Sequence, residues 1–156
     1  MSNITVGSTK SYHLMQNAAK RGNIKLMKKL LDDGYTWEPN SENGDVNEDT
    51  CCNAALNGHL KCLVFARTNG CPWDATTCHS AVFGGHLRCL QYALKNNCPY
   101  NNWKCELRNG DGFIDVRDFC ENKACLKYIR NYEKKHHKIV AMPFGCPDTF
   151  VFVNKK

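Results

Sequence analysis

Apolar positions along the chain follow a helical period that is interrupted and restarted by glycine. Leu60, Leu63, Val64 and Ala66 recur at helical spacing, which gathers them on one face of a short helix. Upstream, Ala54 and Ala55 put small side chains where a first helix can approach its neighbours closely. Gly58 supplies the turn between the two helices. The same order of small residue, glycine turn and aliphatic helix returns at Ala81, Gly85 and Leu87–Leu90.

This recurrence is an internal repeat. TCCNAALNGHLKCLVFARTNGCPWD aligns with TCHSAVFGGHLRCLQYALKNNCPYN at a constant offset of 27, pairing Thr50-Cys51 with Thr77-Cys78 and Gly58-His59-Leu60 with Gly85-His86-Leu87. A third copy lies upstream, where Gly22 precedes Gly58 by 36. A fourth, degraded copy places Cys125-Leu126 the same 36 residues after Cys89-Leu90. Gly34 and Gly70 are expected to end second helices as left-handed caps, with Asn97 taking that role in the third unit. Asp49 and Thr76, or the threonine after each, suit the starts of first helices. One such helix pair cannot bury its own apolar face, whereas a stack can. The expected fold is therefore all-α: a helical solenoid of about four units (about 12–37, 47–74, 75–101 and 112–132) forming one repeat domain over 1–132.

The two longer spacings share a tripeptide, Asn43-Gly44-Asp45 in one and Asn109-Gly110-Asp111 in the other. Asn-Gly is a strong signal for a tight hairpin turn, so each marks the tip of a finger between units.

These units resemble ankyrin repeats, whose pattern runs Thr-Pro-Leu-His, two alanines, Gly-His, paired aliphatics and glycine. Residues 76–79 read Thr-Thr-Cys-His, and Gly58-His59 and Gly85-His86 match the inter-helix turn. More narrowly, the Gly-His and Cys-Pro-Trp elements resemble short repeats abundant in giant DNA viruses of amoebae. The resemblance covers about residues 12–130, and departs from the family where cysteine replaces leucine at 51 and 78 and where the 27-residue unit lacks a finger. It implies a non-enzymatic module for protein–protein interaction, binding a protein partner through a concave face and finger loops. It also implies that His59 and His86 hydrogen-bond the turn backbone.

The stretch RNGDGFIDVRDF (108–119) imitates the second half of an EF-hand calcium loop. Its first ligand position would be Leu107, which offers no oxygen, and its last would be Asp118, shorter than the usual glutamate. Asp115 and Asp118 are instead expected to cap the first helix of the fourth unit. Seven of the eleven cysteines fall in repeat register (51/78, 62/89/125, 71/98), and no paired Cys-x2-Cys zinc pattern occurs. The cysteines are expected to be reduced and packed in the core. No metal, no cofactor and no catalytic residue is expected, since the chain carries no nucleophile elbow, phosphate loop or His-Glu-x2-His motif.

Trp37, Trp73 and Tyr100 follow the second helices of three successive units, with Trp103 close behind. Such residues either seal one repeat to the next or serve as binding hot spots. The candidate partner-binding residues are Asn43, Asp45, Trp73, His79, Tyr100, Trp103 and Asp111. Phe150 and Phe152 join them from the C-terminal extension, 133–156. That extension reads as two apolar β-like runs around Gly145-Cys146-Pro147-Asp148, suited to a partner or to self-association.

The formal charge of +6 is mildly basic, with clusters at Lys25, Lys28 and Lys29, in EKKHHK and at Lys155-Lys156. These read as a solvated face, and nucleic acid is not expected. No run is long and apolar enough for a membrane span. MSNITVGSTKSYH shows no secretory pattern, so an intracellular, reducing compartment is expected: host cytoplasm, or a virion. The alternative function is a structural component of a particle or complex, anchored by the extension. A third is a calcium- or zinc-binding module.

Overall fold

The computed structural model describes residues 9–37, 50–100, 103–106, 113–139 and 152–154. Among them are seven α-helices: α1 (Thr9–Lys20), α2 (Ile24–Asp32), α3 (Thr50–Leu56), α4 (Leu60–Thr68), α5 (Ala75–Phe83), α6 (Leu87–Lys95) and α7 (Lys123–His136). A 3-10 turn, Val116–Phe119, occupies the place of a first helix in the last unit. Two antiparallel strand pairs complete the fold, β1 (Lys104–Glu106) with β2 (Phe113–Asp115) and β3 (His137–Ile139) with β4 (Phe152–Asn154).

The helices form two layers. α1 packs on α3, α3 on α5, and α5 on the 3-10 turn; behind them α2 packs on α4, α4 on α6, and α6 on α7. Ala18, Ala19, Ala54, Ala55 and Ala81 are all buried where first helices meet. Leu63 and Leu90 fill the second layer, each fully enclosed. Their burial stabilises the fold by roughly 1.5–3 kcal/mol per side chain.

Each helix pair closes with the same device at both ends. At the inter-helix turn, Gly58 has φ +72°, and the N–H of His59 reaches the Ala54 carbonyl at 2.8 Å. At the far end, Gly70 has φ +86° and the Cys71 N–H reaches the Ala66 carbonyl at 3.0 Å. Both are left-handed caps that satisfy carbonyls the helix leaves open. Asn97, at φ +59°, takes this conformation without glycine, as its register predicts.

The turns also lock consecutive units together. The His59 ring lies over Gly22 and its Nε2 donates to the Lys20 carbonyl at 3.1 Å. His86 lies over Gly58 in the same way, and Asn122 donates to the Gly85 carbonyl at 2.7 Å. The backbone-bonding role expected of His59 is present, directed to the preceding unit.

Three expectations are corrected. The cap of α5 is Asp74, whose carboxylate accepts from the Thr76 N–H at 2.8 Å, so the helix starts before Thr76. In the last unit Asp115 does cap, accepting from the Arg117 N–H at 2.9 Å, but it opens a single 3-10 turn instead of an α-helix. α7 runs through the expected 132/133 boundary to His136 and passes directly into β3. The hairpin foreseen before the fourth unit is β1–β2; its tip, and Asp49, lie outside the described residues.

All nine described cysteine side chains are buried and free of disulfides. Burial pushes the Cys62 thiol up, and Cys89 up to about 11; Cys125 rises to about 12, chiefly by burial and then through neighbouring Cys120. Such thiols are poor nucleophiles at neutral pH. Replacing Cys89 by serine is expected to cost about 1–3 kcal/mol in urea unfolding, and replacing it by alanine less, because serine buries a hydroxyl. Equal or greater loss with alanine would show that volume alone matters at this position.

Candidate functional site

The structure draws three of the expected partner-binding residues together, but as a seal. Trp103 is wholly enclosed: its ring stacks on Tyr100 with centroids 5.1 Å apart, and its indole N–H donates to Glu133 Oε1 at 2.9 Å. His79 lies 6.3 Å from the same ring, is 6% exposed, and therefore offers almost nothing to a partner. Its imidazole is held below its ordinary pKa by burial, against the opposing pull of Asp74 and Asp115. Tyr100 is half-buried and also meets Tyr132 edge-on at 5.7 Å; its hydroxyl is pushed up to about 12, first by burial and then by Tyr132 and Glu133.

Trp73 is likewise half-buried, edge-on to Tyr92 at 6.0 Å, with the Arg67 guanidinium 4.7 Å above its ring. One unit earlier, Trp37 meets Phe65 in the same edge-on manner at 6.3 Å. The aromatic row thus joins each unit to the next. Expecting Trp103 and His79 on a binding surface is corrected, because the two rings pack together and Trp103 is closed in by Tyr100 and by Glu133 of α7. Asn43, Asp45, Asp111 and Phe150 lie outside the described residues. Phe152 is placed only by its backbone, on β4 opposite Ile139.

The Asp115 carboxylate, which the calcium-loop pattern would use as a ligand, is engaged by a guanidinium. Arg117 Nε donates to both its oxygens at 2.9 and 3.0 Å, and Arg117 Nη2 binds it as well. Burial would raise this carboxyl's pKa, but the Arg117 bonds and charge prevail and hold it below the ordinary range. Among the described residues no three His, Cys, Asp or Glu side chains converge as a metal site requires.

The exposed apolar residues are elsewhere. Leu56, Phe83 and Phe119 are 38%, 55% and 50% exposed, and each lies at or near the end of a first-layer element. They share one register, since 83 follows 56 by 27 and 119 follows 83 by 36. Each sits one step along the helix from the residues that pack between units, so it turns away from them. The Phe83 and Phe119 rings approach to 6.0 Å. Beside them opens a groove of about 590 Å³ lined by Phe83, Gly84, Gly85, Phe119, Glu121 and Asn122. None of the three is singled out in the sequence, because no motif marks them and their exposure depends on the face they occupy. The signal that could have found them is position: each lies two residues before register position 58, 85 or 121.

No protein-family model matches the chain, and no curated protein matches it. No described helix is long and apolar enough to cross a membrane.

Proposed function

We propose that the chain is a non-enzymatic protein-binding module: an ankyrin-like solenoid that presents Leu56, Phe83 and Phe119 to a protein partner. The observation that carries this reading is the ledge. Three large apolar side chains in one register are left in solvent, although all nine described cysteine side chains and the alanines between first helices are buried. Aromatic side chains beside a groove supply contact area at little entropic cost, and a few such anchors dominate most interfaces. The stack supports them rigidly, because each first-layer element is held by its neighbours.

The test is affinity capture followed by mass spectrometry, comparing the wild type with Phe83→Ser/Phe119→Ser. Both residues are half in solvent, so the double variant should fold and melt nearly as the wild type. It is expected to lose bound partner by tenfold or more, the scale of one or two hot-spot residues. Full retention of the partner would sink the reading.

A second reading, a structural component anchored through the extension, draws on the β3–β4 pair. A two-stranded ribbon is marginal in water by itself and gains from a neighbour. Since α7 ends at His136, a truncation that tests this should remove 137–156 and leave α7 whole.

A further inference from the structure

Charge is segregated between the two layers. The second-layer helices α2, α4, α6 and α7 carry twelve lysines and arginines against two carboxylates, Asp32 and Glu133. The first-layer elements α1, α3, α5 and the 3-10 turn carry three basic residues and one acidic one. The whole-chain charge of +6 understates this, because it averages one strongly basic face with a nearly neutral one.

Most of these basic residues are also open to solvent, with Lys28 over Phe65 and Arg67 over Trp73 engaged with rings. Every one on these four helices except Arg67 is exposed. Among the described residues both ion pairs use Arg117, which lies in the first layer. One of the two carboxylates, Glu133, is already committed to Arg117 and to the Trp103 indole. Lys25, Lys61 and Arg88 repeat at the spacings of the units, 36 and 27, and so climb the face helix by helix. Packed helices are about 8–10 Å apart, so four of them span roughly 30 Å. That is close to one turn of a nucleic-acid duplex, about 34 Å.

We propose that this face binds the phosphate backbone of a nucleic acid, without regard to sequence. The choice among anionic partners follows from what the face lacks. The exposed large apolar residues among those described, Leu14, Leu56, Phe83 and Phe119, all belong to the first layer. A protein interface is built around an apolar core, and a surface helix on a membrane inserts an apolar face. A phosphate backbone requires neither: it is held by cations, through release of its counterions. Lysine outnumbers arginine nine to three on these helices, which suits diffuse backbone contact over bidentate reading of bases. This surface is separate from the apolar ledge, so either could exist without the other.

Fluorescence anisotropy of the full chain with a labelled 30-base-pair duplex of arbitrary sequence tests the proposal. Binding is expected at 50 mM salt, with affinity falling about 100-fold by 200 mM, as about four phosphate contacts would give. Lys61→Glu/Arg88→Glu, two exposed sites on adjacent helices, should weaken binding tenfold or more while leaving the circular dichroism melt unchanged. Phe83→Ser should leave duplex binding intact. The proposal is overturned by no binding at 50 mM salt, or by binding that ignores the charge reversal. It is equally overturned if phosphatidylserine vesicles or polyglutamate hold the protein more tightly than the duplex does at the same salt.

Discussion

Replacing Trp103 with alanine is expected to destabilise the fold by about 3–5 kcal/mol, the range for removing a large aromatic from a packed interior. The side chain is fully enclosed between α5, through His79, and α7, through Glu133, and stacks on Tyr100. Its loss opens a cavity and deprives the Glu133 carboxylate of one of its two donors, the other being Arg117. Trp103→Phe keeps most of the volume and loses the indole hydrogen bond, so it should cost distinctly less. For a chain of this size the alanine variant should melt on the order of 10 °C lower. Urea unfolding gives the free energies directly. A loss under about 1 kcal/mol for alanine would mean that Trp103 is not the seal described.

The second large effect separates two reasons for a glycine. Gly84 has an ordinary right-handed conformation, φ −75°, yet a Cβ there would come within 2.2 Å of the Leu56 backbone carbonyl. Gly70 has φ +86° and nothing within 4 Å of an added Cβ. Gly84→Ala must therefore push α3 and α5 apart, at about 3 kcal/mol, the upper part of the usual overpacking range. Gly70→Ala meets only the left-handed penalty, about 1–2 kcal/mol. Because Leu56 and Phe83 flank that contact, Gly84→Ala should also disturb the apolar ledge, which Gly70→Ala should not. Equal melting temperatures for the two variants would contradict the close approach of these helices.

Much of this fold can be read from local chemistry. The Gly34, Gly70 and Asn97 caps, the helix pairs between them and the burial of the repeat-register cysteines all follow from short-range rules that each unit obeys independently. The fourth unit is different, and its first helix could not be read from the repeat. Glu121 occupies the register that glycine holds at 85, and a left-handed turn is costly for glutamate. Cys120 accordingly leaves the 3-10 turn in extended conformation, φ −86° and ψ 106°. β2 also runs to Asp115, leaving too little chain before Lys123 for a full helix and a turn.

The site was harder to read than the fold. Trp73, Tyr100 and Trp103 have the composition of a hot spot, but a repeat-to-repeat seal uses the same side chains. Only their tertiary neighbours decide between them: Trp103 meets His79 of α5 and Glu133 of α7. Phe83 and Phe119 belong to no motif that marks them in the sequence, and only the face on which they fall reveals their exposure. Charge segregation is invisible in composition for a similar reason. The repeat interleaves neutral first helices with basic second helices along the sequence, and the fold sorts them into separate layers.

The most direct measurement is hydrogen-exchange footprinting of the protein alone and in complex with the protein partner it captures. The account predicts new protection at 54–58, 81–86 and 117–122, the segments that carry Leu56, Phe83 and Phe119, with α4 and α6 unchanged. Protection confined to the second-layer helices or the finger loops, with those three segments exchanging as in the free protein, would contradict it.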